Sequence, residues 1–198
     1  MRYVKGHGLQ TRSRIVENAS YGLRQNGADG VSVVDLMKLA GLTHGGFYSY
    51  FDSREALVIE AFAQAMDRTV ADWLKIMKGM PVEERFDAVV EAYLSPRHRD
   101  NRARGCVLPA LGTDIARSSQ KARRMFAGKF EEMIGMVARL FPEKSPKEAR
   151  QVATSALATM MGSIVLARAA GEKTLSDDIL EAGRQALRSH SAARRSSR

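Results

Sequence analysis

The sequence predicts an all-α protein of about nine helices, with a small N-terminal three-helix segment and a larger helical remainder. Three observations carry this. Long windows place apolar residues at a 3.6-residue period, and none shows sustained alternation. Glycine, proline and Ser/Thr/Asp punctuate the chain in the arrangements that start and stop helices. Hydrophobic residues make up 44% and charged residues 27% of 198, ordinary usage for a chain that buries a core.

Each element follows from its own residues. Ile15, Ala19 and Leu23 mark one face of a first helix over 10–26, which Gly27 and Gly30 end. Ser32 then caps a short helix, with Asp35 at its third position in a capping-box arrangement and Gly41 closing it. Thr43 caps a third helix holding Phe47, Tyr48, Tyr50 and Phe51, and Asp52-Ser53 break it. A long helix over 54–78 ends at Gly79-Met80-Pro81, and a helix over 82–94 follows. Residues 95–104 read as an exposed arginine-rich loop. Helices are expected over 106–116 and 119–141, the latter with Met125, Phe126, Phe130 and Met133 on its inner face. Ser145-Pro146-Lys147-Glu148 opens a helix to about Ala170, and Ser176-Asp177-Asp178 opens the last one, to about Leu187. The domains are accordingly residues 1–52, residues 53–190, and a disordered basic tail over 191–198.

Composition limits what such a chain does. Its net charge is +9, concentrated in three places. Residues 1–50 hold six Lys/Arg against three acids, 97–104 hold four arginines against one aspartate, and the tail from Arg184 holds five arginines and no acid. Such a balance suits a polyanion, nucleic acid first, or else serves solubility. A single cysteine excludes an internal disulfide and a four-cysteine zinc site, and points to a reducing compartment. The N-terminus has no apolar signal-peptide core, and the most apolar stretch, Ala156–Ala167, falls short of the roughly 20 residues needed to span a bilayer. A soluble cytoplasmic protein without membrane contact is expected. His7, His44, His98 and His190 are scattered, and no phosphate loop or nucleophile elbow is present, so no catalytic residue, metal or cofactor is expected.

The functional signal lies in the first fifty residues. Two short helices separated by Gly41-Leu42 have the outline of a helix-turn-helix. Such a unit needs a turn glycine, inward apolar residues (Leu36 and the small Ala40) and small or polar side chains at the start of its second helix. Thr43, His44, Gly45 and Gly46 meet the last requirement, for reading base edges in a major groove.

The stretch Ser32–Leu57, SVVDLMKLAGLTHGGFYSYFDSREAL, resembles the DNA-binding region of the TetR family of transcriptional regulators. The likeness lies in A-G-L-T, then G-G-F-Y-S-Y-F, then a polar turn with R-E-A-L. Arg104-Gly105-Cys106-Val107-Leu108 is similar to the G-C-x-L segment of a subset related to the N-ethylmaleimide reductase repressor. The resemblance implies a homodimer binding a palindromic double-stranded DNA operator, most often to repress transcription. It implies that Ser32, Thr43 and Tyr48 contact phosphate or sugar and that His44, Gly45, Gly46 and Ser49 face bases. Tyr50 would reach the backbone and Arg54 a phosphate. Gly46 departs from the pattern, standing where Thr, Ser or Ala is frequent, and adjacent glycines each cost a helix about 1 kcal/mol. Arg12 and Arg14 are either solvated or phosphate ligands.

What the rear domain senses stays open between two chemistries. Cys106, after an arginine-rich segment and at an expected helix start, is either an electrophile or oxidant sensor or a buried packing residue. Phe62, Met66, Tyr93, Phe126, Phe130 and Met160 are core or, with Cys106, line a pocket for a small apolar effector. The family arrangement implies a four-helix dimer interface with Ala156, Met160, Ser163, Ala167, Ile179, Leu180 and Gly183 in it. The alternative is an all-helical adaptor that uses its basic surface on proteins or anionic surfaces without reading DNA sequence.

Overall fold

A computed structural model describes residues 5–27 and 32–195, with side chains described for 8–27 and 32–188. The expected turn residue Gly30 and residues 196–198 lie outside this set. The described chain is helical: α1 (Lys5–Asn26), α2 (Val33–Leu39), a 3-10 helix η1 (His44–Ser49), α3 (Arg54–Met77) and α4 (Val82–Tyr93). Then come α5 (Pro96–Asp100), a 3-10 turn η2 (Arg102–Arg104), α6 (Leu108–Arg117), α7 (Gln120–Ala138), α8 (Pro146–Ala169) and α9 (Lys173–Arg195).

The chain divides into two compact units, and not at residue 52. The first is Met1–Arg68 with Cys106–Ala127; the second is Thr69–Gly105 with Gly128–Arg198. A single cut was expected because the reading segment ends near residue 52. Helix α6 instead packs on α1, and its Leu108, Leu111 and Ile115 are buried. In the first unit, Ile15, Ala19 and Leu23 are buried as their spacing requires, with Leu36, Met37, Ala40, Phe47 and Phe51. Phe62 meets Phe126 edge-on, ring centroids 4.4 Å apart.

In the second unit α8 packs along α9, which also packs on α4. Phe86 lies against Phe141 at 4.9 Å and Trp73 against Tyr93 at 5.8 Å. The capping box read at Ser145-Pro146-Lys147-Glu148 is present, Ser145 and Glu148 each accepting from the other's backbone N–H. Helix α8 is long and apolar enough to cross a membrane by composition, with a window of mean hydropathy 1.4. Its inward face, from Ala149 through Ala156 and Met160 to Ala167, is core.

Several local expectations are corrected. Residues 95–104, exposed or half-buried throughout, are helical and not a loop: Ser95 caps α5 by accepting from the His98 N–H, with Pro96 at the first turn. That is the signal recognised fifty residues later at Ser145-Pro146, masked here by the arginines. Arg99 bonds Asp177 at 2.6 Å, Asp100 at 2.7 Å and the Ser176 hydroxyl at 2.9 Å, which holds its guanidinium above its ordinary range. His98 is half-buried and donates from Nδ1 to the Tyr93 carbonyl at 2.6 Å; desolvation first, offset by that bond, brings its pKa to about 4.

Helix α9 begins at Lys173, not Ser176, because the Glu172 carboxylate accepts the N–H groups of Thr174 and Leu175. Ser176 is thereby buried inside the helix and donates to the Ala167 carbonyl. The helix continues to Arg195 where a tail was expected from 191, in keeping with the good helix formers Ala192, Ala193, Arg194 and Arg195. Arg184 and Arg188 are not loose cations either: they pair with Glu181 and Glu91. Met125, placed by periodicity on the inner face of α7, is exposed.

Candidate nucleic-acid interface

The helix-turn-helix forms as its residues dictate. The Ser32 hydroxyl accepts from the Asp35 N–H at 3.1 Å and donates to the Asp35 carboxylate at 2.5 Å, closing the start of α2. Gly41 ends that helix at φ +73°, where an L side chain is strained by about 1–2 kcal/mol. Around it the Leu42 N–H reaches the Met37 carbonyl and the Gly41 N–H that of Lys38, the paired bonds of a Schellman closure. Leu36 and Ala40 face inward.

The second helix is a 3-10 helix, not an α-helix. Thr43 sits at its N-cap position in extended backbone but makes no capping bond with its side chain, contrary to expectation. Adjacent Gly45 and Gly46 explain the shorter, tighter form, since they supply neither side-chain packing nor helix propensity. A Cβ at Gly45 would meet nothing within 4 Å, and one at Gly46 only ordinary contacts with Met37 and Thr43. The space for a larger residue is therefore there.

Packing of η1 divides its residues into two sets. Phe47 and Phe51 are buried, ring centroids 5.6 Å apart and stacked. Tyr48 stands edge-on to Phe47 at 5.3 Å yet is 71% exposed. Thr43, His44, Gly45 and Ser49 are exposed, Gly46 and Tyr50 half-buried, and Arg54 is exposed at the first residue of α3. Of the nine expected contact residues, Thr43 to Ser49 and Arg54 thus present a surface, whereas the Ser32 proton is committed to the cap. Arg12 is not a simply solvated cation. It pairs with Glu60, donates to the Tyr50 carbonyl at 3.3 Å, and lies 4.6 Å over the Phe51 ring.

The residues expected to line an effector pocket divide between the two units. Phe62, Met66, Cys106 and Phe126 fall in the first unit, Tyr93, Phe130 and Met160 in the second. All but the half-buried Phe130 are core. A cavity of about 350 Å³ in the second unit is lined instead by charged groups, Arg99, Asp100, Arg102, Arg168, Glu172 and Lys173 among them. Cys106 is 3% exposed and lies two residues ahead of α6, not at its first turn.

Ala156, Met160, Ser163, Ala167, Leu180 and Gly183 are buried and Ile179 is half-buried. Of the small residues, Gly183 of α9 and Ser163 of α8 approach each other within the chain. A Cβ on Gly183 would lie 2.5 Å from Ser163 Oγ.

A short capped helix, a glycine turn and a second helix with its polar face outward define a helix-turn-helix DNA-binding protein. Residues 15–61 match the model of the family described as bacterial regulatory proteins, tetR family. That family is one of regulators, not enzymes. The chain is 27% identical over 166 residues to an uncharacterized HTH-type transcriptional regulator of Mycobacterium tuberculosis (strain CDC 1551 / Oshkosh), covering 79% of this chain and 84% of that one. It is 24% identical over 129 residues to the HTH-type transcriptional repressor DhaR of Mycobacterium sp. (strain GP1), covering 62% of this chain and 61% of that one.

In fold, it is similar to a TetR-family regulator from Cytophaga hutchinsonii, with TM-score 0.79 at 17% identity over 95% of this chain and 98% of that one. The reduced form of NemR from E. coli matches with TM-score 0.73 at 18% identity, covering 88% and 95%.

Proposed function

We propose that this chain is a homodimeric repressor that reads a palindromic operator with the exposed face of η1 and is released by a small apolar effector. The observation that carries the DNA reading is the division of η1 into a buried aromatic pair and an exposed polar face. The Tyr48 ring is mostly exposed, while Thr43, His44 and Ser49 can donate to phosphates or base edges. Regulators of this family act as cytoplasmic dimers on DNA operators. The name of the DhaR relative supports repression.

The dimer face follows from what α8 and α9 leave uncovered. Val165, Leu166 and Leu175 are exposed, whereas the small residues first expected there are used within the chain. Of the two sensing chemistries, the burial of Cys106 favours the small molecule, because reaction with an electrophile needs an accessible thiolate. Helix α3, whose residues 54–68 belong to the first unit and 69–77 to the second, is the element through which an effector would act on the head. A coupling of about 1–3 kcal/mol would change operator affinity roughly 5–150-fold.

Selection of bound duplexes from a random pool tests the reading. Enrichment of a palindrome is expected, with half-sites centred about one helical turn, roughly 34–36 Å, apart. The selected duplex should be preferred over random DNA by about 10³ or more. A pool that stays random, with binding governed by salt alone, contradicts it and supports an adaptor with a basic surface.

A further inference from the structure

We propose that Arg12 is a positioning residue for DNA reading: its guanidinium joins α1, the end of η1 and α3, fixing the angle at which η1 presents its face, and does not itself bind phosphate. The inference rests on the DNA-binding reading of η1. Its starting point is a weakness in that helix. A six-residue 3-10 helix with two glycines has little intrinsic preference for its conformation, and only Phe47 of its residues is buried. Its orientation must be imposed from outside.

Arg12 touches three elements at once. The plane of its guanidinium covers the Phe51 ring at 4.6 Å. Its Nε donates to the carbonyl of Tyr50, the residue that closes η1, where helical carbonyls otherwise lack partners. Its Nη1 lies 2.5 Å from both carboxylate oxygens of Glu60, one and a half turns into α3. The contacts span 38 and 48 residues of sequence, so they tie the end of the reading helix to both long helices that flank it. A planar fork with several fixed donors can do this; a lysine ammonium cannot reach ring, carbonyl and carboxylate together. Pairing with Glu60 also neutralises the charge a phosphate would seek. Arg12 precedes the family-matched segment by three residues, whereas Glu60 lies within it.

The two roles predict opposite signs, which makes the test decisive. The probes are a duplex enriched by the wild-type protein and an unrelated duplex of equal length, titrated at several salt concentrations. For a positioning role, Arg12→Ala and Glu60→Ala both weaken the enriched duplex about tenfold or more, the size of one mismatched base pair, and leave the unrelated duplex within about twofold. The salt slope is unchanged, and Arg12→Lys does not restore binding. A phosphate role predicts that Arg12→Ala lowers the salt slope by about 0.9 and that Glu60→Ala, by releasing an arginine and removing an acid, tightens both duplexes. Either result overturns the proposal. Glu60→Gln, which keeps the acceptor and the shape, serves if an alanine variant melts below the assay temperature: weaker binding of the enriched duplex alone supports positioning, and tighter binding of both refutes it. If the wild-type protein enriches no duplex, it is the DNA reading that fails, and this inference with it.

Discussion

Phe47→Ala is expected to remove about 3–5 kcal/mol of stability and, with it, all sequence-specific DNA binding. Phe47 is 1% exposed and makes both ring contacts of the reading helix, stacked on Phe51 and edge-on to Tyr48. Its neighbours Gly45 and Gly46 have no side chains with which to fill the hole it would leave. In a helix with so little propensity of its own, this anchor decides whether η1 exists. Tyr48→Ala, one residue on, is expected to behave differently: its ring is mostly in solvent, so the thermal midpoint should barely move while operator affinity falls. Denaturation curves and duplex titrations of the two variants separate packing from contact. Equal losses of stability in both would mean that the two aromatic residues share one structural role.

Gly183→Val is expected to cost roughly 1–3 kcal/mol by overpacking. The first added carbon would lie 2.5 Å from Ser163 Oγ and 3.1 Å from both Ser163 Cβ and Leu94 Cδ1. Ser163 sits on the facing turn of α8, so its short side chain has little room to give. The smaller change Gly183→Ala carries the diagnostic sign. Helix propensity alone would stabilise the chain by about 1 kcal/mol, whereas the close approach predicts destabilisation. Equilibrium unfolding at a fixed protein concentration decides between them. A stabilised Gly183→Ala variant with altered self-association would return this residue to a contact between subunits.

The sequence was most informative where one residue type has one physical use. Ser32, Gly41, Ser145 and Glu148 each appear in the structure in the capping or turn role their chemistry demands. The recognition segment was equally legible, because aromatic residues at 47 and 51 must be buried and the polar residues among them cannot all be. What failed were readings that need tertiary information. Residues 95–104 looked like a loop because four arginines outweighed a Ser-Pro cap, and Arg99 also pairs with Asp177, far along the chain. The small residues of α8 and α9 announce a close helix contact, but periodicity does not say whether the partner helix belongs to the same chain. Glu172 was not recognised as a cap because the later Ser176-Asp177-Asp178 carries the stronger local signal. Arg12 was read as a surface cation since nothing local reveals Glu60, Phe51 and the Tyr50 carbonyl converging on it.

The claim beneath all of this is that the segment Thr43–Tyr50 enters a duplex groove once per subunit, and a cleavage reagent tethered at the exposed position 49 tests it most directly. With Ser49→Cys carrying a chelated iron, in a Cys106→Ala background, two symmetric clusters of strand cuts are expected about one helical turn apart on the selected duplex. Cuts scattered without a dyad, or none above the level of free reagent, would contradict it.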